Sequence, residues 1–192
     1  LVGLADQGSF DLVIVGQRRN SLLEQLWYGS VARGVLRSAP VSVACIPTPP
    51  SPPAAPFRAP EIVVVGVDFT DVADRAIAQA MGLVVDGGRV HLVHVLPPAG
   101  PDRLAAEQAF YELSRRGGGS SASGRTMTVE REVLEGAPVD QLLAAAERAG
   151  ADLLVLGARS RPALSRLLLG SVARGVSERA PIPVLLVPFG QA

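Results

Sequence analysis

The chain has a single cysteine, only two histidines and no excess of either charge, and each shortage narrows its chemistry. One cysteine forms no intrachain disulfide, which fits a reducing cytosol. Cys45 lies in the apolar run 41–46 and is expected to be a buried structural thiol. His91 and His94 stand three apart on an expected strand, so they point to opposite faces and argue against a shared metal site. His94 falls near an expected crevice, and a satisfied core histidine is its expected role. The 18 basic residues balance 18 acidic ones, so neither nucleic acid nor an anionic membrane is expected as a partner. No apolar run approaches the roughly 20 residues that cross a bilayer, and no signal-like start is visible. A cytoplasmic protein is the expectation. There is no Walker sequence, because Gly157-Ala158-Arg159-Ser160 lacks its Lys. No Ser/His/Asp or Cys/His arrangement and no metal-ligand cluster stands out, so no catalytic residue is assigned and dedicated catalysis is not expected.

What is present is a repeat. Residues 11–47 and 152–188 align without a gap at an offset of 141, and 17 of 37 positions are identical. Seven identities are consecutive, GSVARGV at 29–35 and again at 170–176. One structural unit is therefore used twice. The unit reads as strand, loop, helix, strand. Residues 153–156 form a wholly apolar run, as in a parallel strand buried on both faces. Gly157 ends that run, and a basic loop, Ala158-Arg159-Ser160-Arg161-Pro162, follows. Gly170-Ser171 then opens a helix, with Ser171 as the candidate N-cap. Ala180-Pro181-Ile182-Pro183 stops it before a last apolar strand. A Gly at a strand's carboxyl end lets a ligand approach the backbone. A Gly-Ser at a helix start leaves N–H donors and a hydroxyl facing outward, which suits an anion such as phosphate. Plain punctuation of a strand end and a helix start is the competing explanation.

Between the copies, seven of the 14 residues 47–60 are proline, which marks a linker of polyproline II character at about 3.1 Å per residue. The expected organisation is a partial unit at 1–47, a linker at 48–60 and a complete unit at 61–188. Two strands and one helix bury their faces poorly alone. The first unit must therefore pack on the rest of this chain, on another copy or on a further N-terminal portion. From residue 61 the pattern alternates strand and helix, β-α-β-α-β-α-β-α-β. Strands are expected at 62–67, 90–95, 127–134, 153–156 and 184–187. Ala73, Ile77, Ala80, Met81 and Val84 line one helix face, and Gly87-Gly88 is expected to stop that helix. Pro138 opens a later helix and Gly150 closes it. The expected fold is α/β, an open, mostly parallel five-stranded sheet with helices on both faces, plus a partial second copy. In such a sheet ligands bind beyond the carboxyl ends of the strands. That places Asp68, Val95 and residues 157–171 around one crevice.

These residues resemble the universal stress protein family, in which nucleotide-binding members carry Gly-x2-Gly-x9-Gly-Ser/Thr after the fourth strand. Gly157, Gly170 and Ser171 match that motif in spacing and type. Asp68 in VGVDFT matches an Asp at the end of the first strand, and Val95 in LVHV matches the residue that meets adenine. Residues 60–188 look like a complete domain and 1–47 like the carboxyl-terminal part of another. The resemblance implies a fold of the nucleotide-binding alpha hydrolase type and a stress-response and signalling module that binds adenine nucleotide, ATP with Mg²⁺ as its companion, with Asp68 on the ribose or on a phosphate-bound Mg²⁺. It implies Val172 beside Ser171 in the phosphate cradle, and pairing of domains through last strands. That pairing would be a homodimer, or residues 184–187 with 41–46 in an intrachain pseudo-dimer.

One position departs from the motif. Its second Gly falls on Ser160, and on Arg19 in the first copy. A side chain is costly where φ is positive or a phosphate must come close. Ser160 is small and donates to phosphate, and Arg159 and Arg161 beside it supply charge-assisted contacts. The first copy keeps Gly16, Gly29 and Ser30 but has Arg19 there, so no nucleotide site is expected in it. Asp68 has a second expected role, capping the helix that follows. Trp27 and Tyr28 stand where the second copy has Leu168 and Leu169, as an interface patch or as ordinary packing. The alternatives to nucleotide signalling are a nucleotide-free interaction or scaffold protein of the same fold, and a weak ATPase.

Overall fold

A computed structural model describes residues 10–18, 34–35, 39–48, 58–96, 103–116, 125–158 and 169–188. The strands are β1 (Leu12–Arg18), β2 (Ser42–Thr48), β3 (Ile62–Gly66), β4 (Arg89–Leu96), β5 (Thr128–Glu135), β6 (Leu153–Gly157) and β7 (Val184–Val187). The helices are α1 (Asp71–Leu83), α2 (Arg103–Arg116), α3 (Pro138–Ala149) and α4 (Ser171–Arg179). All seven strands form one sheet in the order β1-β2-β7-β6-β3-β4-β5. The five strands expected after residue 61 are contiguous in it. The two strands of the first copy extend it beyond β7, so the described residues form one seven-stranded sheet.

Every neighbour pair is parallel except β2 with β7, which is antiparallel. The first copy thus packs on the rest of this chain through the strand pair named from the sequence. Ala44 stands opposite Leu185, and these two positions differ by the repeat offset of 141. A local two-fold axis therefore passes through the junction. Ser42 Oγ donates to Gln79 Oε1 of α1 at 2.9 Å and ties β2 to the second unit.

The central strands are apolar throughout because both their faces are covered. Val64, Leu154, Leu156, Val184 and Leu186 pack on one side, with Leu142 and Ala146 of α3 and Ala173 and Val176 of α4. Val63, Val65, Val155, Leu185 and Val187 pack on the other, with Ala73, Ile77 and Ala80 of α1 and Phe110 of α2. The period of two along each strand assigns alternate residues to the two cores. Cys45, at the β2–β7 junction, is 1% exposed, and burial pushes its thiol up to about 11.

Three boundaries differ from expectation. Helix α1 stops at Leu83 and not at Gly87-Gly88, because Val84 turns extended (ψ 142) and is fully buried in the core. Strand β2 runs through Pro47 to Thr48, which pair with Gln17 and Arg18 of β1. Pro47 is tolerated there because β7 pairs only with residues 43–45 and no second neighbour needs its missing N–H. Helix α4 takes Gly170 as its N-cap (φ −59, ψ 146), so Ser171 is the first helical residue and not the cap. The proline-rich residues 49–57 lie outside the described residues.

Candidate functional site

The carboxyl ends of β3, β4 and β6 open on one side of the sheet, and a cavity of about 450 Å³ lies there. Asp68, Val95, Gly157, Gly170, Ser171 and Val172 all line it. They come from loops far apart in sequence, brought together because parallel strands place all their carboxyl ends on one edge. Ser160, Arg159 and Arg161 fall outside the described residues, as do Arg19, Trp27, Tyr28, Gly29 and Ser30.

The Gly157–Gly170 side of the cavity is set by backbone hydrogen bonds. Gly170 N–H donates to Ala158 O at 2.8 Å, and Ala158 N–H donates to Val187 O at 2.7 Å. Ala158 and Gly170 are thereby held together beside the end of β7. Helix α4 then points its first turn at the cavity with no side-chain cap and no acidic residue in that turn. Helices α1 and α3 each carry acids in their first turns, Asp71 and Asp74 in one and Asp140 in the other. The N–H groups at the start of α4, with the positive end of its dipole, are left for an anion.

Among the described residues Asp68 is the only carboxylate lining the cavity. Its Oδ1 accepts from Thr70 N–H at 3.2 Å and from Thr70 Oγ1 at 2.6 Å. It therefore makes a tight local turn onto Thr70, the N-cap of α1, and does not itself cap that helix. Phe69, between them, has φ 58, an uncommon conformation for an aromatic residue. Its ring is held against His94 (centroids 4.6 Å apart) and edge-on to Phe110 (5.0 Å). His94 Nδ1 donates to Val67 O at 2.7 Å, so this histidine has a partner. His91 is on the opposite face, 3.4 Å from Glu132 Oε2. Among the described residues no group of three or more His, Cys, Asp or Glu side chains could hold a metal ion.

The floor is apolar, formed by Val95, Leu156, Leu142 and Pro138. Gly66 belongs to it because a methyl group there would run into the Leu156 side chain. Pro138 and Leu142, at the start of α3, were not foreseen as lining residues. The signal was available: α3 follows the carboxyl end of β5, which opens on the same edge as the other three strands.

The sequence model of the "Universal stress protein family" matches residues 1–47 and 60–188. The chain belongs to the universal stress protein family. It is 33% identical over 140 residues to "Universal stress protein G" of Shigella flexneri, covering 66% of this chain and 96% of that one. A universal stress protein from Archaeoglobus fulgidus has the same fold over 99% of this chain, with a TM-score of 0.66 at 24% identity. This universal stress protein chain spans 64% of that archaeal chain. A universal stress protein solved in complex with cAMP matches 68% of this chain and is itself covered to 98%, with a TM-score of 0.51 and 28% identity. Among the described residues no helix is long and apolar enough to cross a membrane.

Proposed function

We propose that this universal stress protein binds an adenine nucleotide, ATP, in the cavity beyond β3, β4 and β6, and acts as a cytoplasmic binding and signalling module. The observation that carries the proposal is the uncapped, acid-free start of α4 facing a cavity with an apolar floor. A nucleotide has the same division, with anionic phosphates at one end and a flat apolar base at the other. The phosphates lie against the N–H groups of Ser171 and Val172 and the Ser171 hydroxyl, with Gly157 and Gly170 leaving room for close approach. The base packs on Val95, and Asp68 accepts from the ribose hydroxyls. Ser160, Arg159 and Arg161, which the sequence sets between Gly157 and Gly170, are the further phosphate contacts of this proposal.

A lone carboxylate on the cavity wall does not make a resident metal site. Mg²⁺ fits only as a companion of the phosphates, where Asp68 would be its protein ligand in place of its contact to the ribose. The cAMP-bound relative supports nucleotide as the ligand class. The first copy, read as the carboxyl-terminal part of a second domain, serves assembly in this proposal and has no nucleotide site.

Calorimetric titration of the chain with ATP and, separately, with cAMP tests the proposal. Saturable heat with ATP is expected, and Gly170→Val is expected to weaken it at least tenfold, about 1.4 kcal/mol. Absence of heat and of any thermal shift at millimolar concentration of either nucleotide would remove the proposal.

A further inference from the structure

The turn that carries Asp68 is not one its residues favour. Phe69 has φ 58, a left-handed conformation that a bulky side chain avoids because its Cβ crowds the following carbonyl. Such a conformation persists only where the surroundings hold it. Its effect is to fix the carboxylate. With the chain turned at Phe69, Asp68 Oδ1 takes both the Thr70 N–H at 3.2 Å and the Thr70 hydroxyl at 2.6 Å. Oδ2 accepts from none of the described residues and is left for a ligand in the cavity that Asp68 lines.

His94 grips this turn on both sides of Asp68. On the amino side its Nδ1–H donates to Val67 O at 2.7 Å. A carbonyl only accepts, so this bond also fixes the tautomer. On the carboxyl side its ring lies against the Phe69 ring, with centroids 4.6 Å apart and planes tilted by 40°. Phe110 of α2 meets Phe69 edge-on and adds to the hold. Val67 N–H donates to Val93 O at 2.9 Å, which carries the β3–β4 pairing one residue past Gly66. Residues 67–69 are thus tied to the end of β4 chiefly through His94. Val95, next along β4, lines the same cavity. One strand end therefore supplies the wall for the base and, through His94, sets the acceptor for the ribose. His91 makes none of these contacts and lies on the opposite face against Glu132.

We propose that His94 is a positioning residue. It holds the Phe69 turn, through Val67 O and the Phe69 ring, and so sets the Asp68 carboxylate for the hydroxyls of a ribose. This role rests on the nucleotide reading of the cavity and adds a specificity to it, a preference for nucleotides that keep their ribose hydroxyls.

The test measures binding of ATP and of dideoxy-ATP, which lacks both ribose hydroxyls, by calorimetry without Mg²⁺. Wild type is expected to bind ATP about tenfold more tightly than dideoxy-ATP, the worth of one hydrogen bond to a charged group. In His94→Leu that preference is expected to vanish while the affinity for dideoxy-ATP stays. His94→Asn returns an N–H donor to the place of Nδ1 and is expected to restore most of the preference. His91→Leu is expected to leave it unchanged. Without nucleotide, NMR follows the cross-peak between the amide and α protons of Phe69, which is strong only at positive φ. It is expected to weaken in His94→Leu. Equal loss of both nucleotides in His94→Leu would overturn the proposal, since a deformed cavity does that without Asp68. So would a preference that His94→Leu leaves intact, or one absent from a wild type that binds both nucleotides. A Phe69 cross-peak unchanged in His94→Leu would overturn it even where wild type binds neither nucleotide, a result that separately removes the nucleotide reading.

Discussion

Gly34 and Gly175 occupy the same place in two copies of GSVARGV, yet among the described residues only Gly175 is crowded. A glycine inside a helix costs about 1 kcal/mol relative to Ala, so its use at 175 needs a reason, and Val139 supplies one. Gly175→Val should lower stability by about 1–3 kcal/mol through overpacking. Gly34→Val in the chain as it stands should change stability by less than about 0.5 kcal/mol. Denaturant titration of the two variants checks the contrast. Asp86 makes a pH-dependent contribution. Hydrogen bonds from Thr126 N–H and Thr126 Oγ1 hold its carboxyl below the ordinary 3.8. A carboxylate favoured in the fold stabilises it fully above its unfolded value, and that stabilisation is lost as pH falls through the folded one. Wild type should therefore lose stability relative to Asp86→Asn below about pH 4, in urea titrations from pH 6 to pH 2. Cys45 is the opposite case: its raised value keeps it a thiol at neutral pH. Iodoacetamide should label it only in denaturant. At this scale the sequence was informative about type and uninformative about partner. Burial of Cys45 followed from its apolar run, whereas the turn from Asp68 onto Thr70 depends on the positive φ of Phe69, which its residue type does not predict.

Strands and helices were legible in the chain wherever both faces of an element are covered. Residues 62–66 and 153–157 read as strands because burial on two sides demands unbroken apolar residues. Ends were less legible, since a boundary is a competition between local signals and the core. Gly87-Gly88 is a strong stop signal, yet burial of Val84 ends α1 first. The glycines serve the turn instead. A methyl group on Gly88 would lie 2.7 Å from Glu61 O and 3.0 Å from Val85 O. Backbone yields less readily than side chain, so Gly88→Ala should cost about 1–3 kcal/mol, read as an earlier thermal midpoint. Gly170 and Ser171 illustrate a second limit. Sequence placed the helix start to within one residue: Gly170 takes the cap, and Ser171 opens the first turn and lines the cavity.

Across the whole molecule the described strands form one sheet, which passes from one repeat of the sequence to the other at β2 and β7. The strand pair was legible from the family resemblance, and one continuous sheet follows from it; the choice of this chain's own β7 over that of a second copy was not legible, because a proline-rich connection suggests separation. The site was legible for a different reason. Parallel topology forces strand ends together, so residues as distant as Asp68 and Ser171 were expected around one crevice, and they line one cavity. Pro138 and Leu142 were overlooked because α3 contributes lining from its own start. Integrity of the junction should matter to the entire fold. Ala44→Asp would place a carboxylate against Leu185 in the buried core and should cost about 3 kcal/mol or more, lowering the midpoint of a single cooperative transition. The central claim, that the start of α4 receives the phosphates of an adenine nucleotide, has a direct test. Backbone amide resonances of Ser171 and Val172 can be followed by NMR as ATP is added. The account predicts that both shift saturably together with Val95 and Asp68, and that inorganic phosphate alone moves only the first pair. Resonances of Ser171 and Val172 that stay fixed at saturating ATP would contradict it.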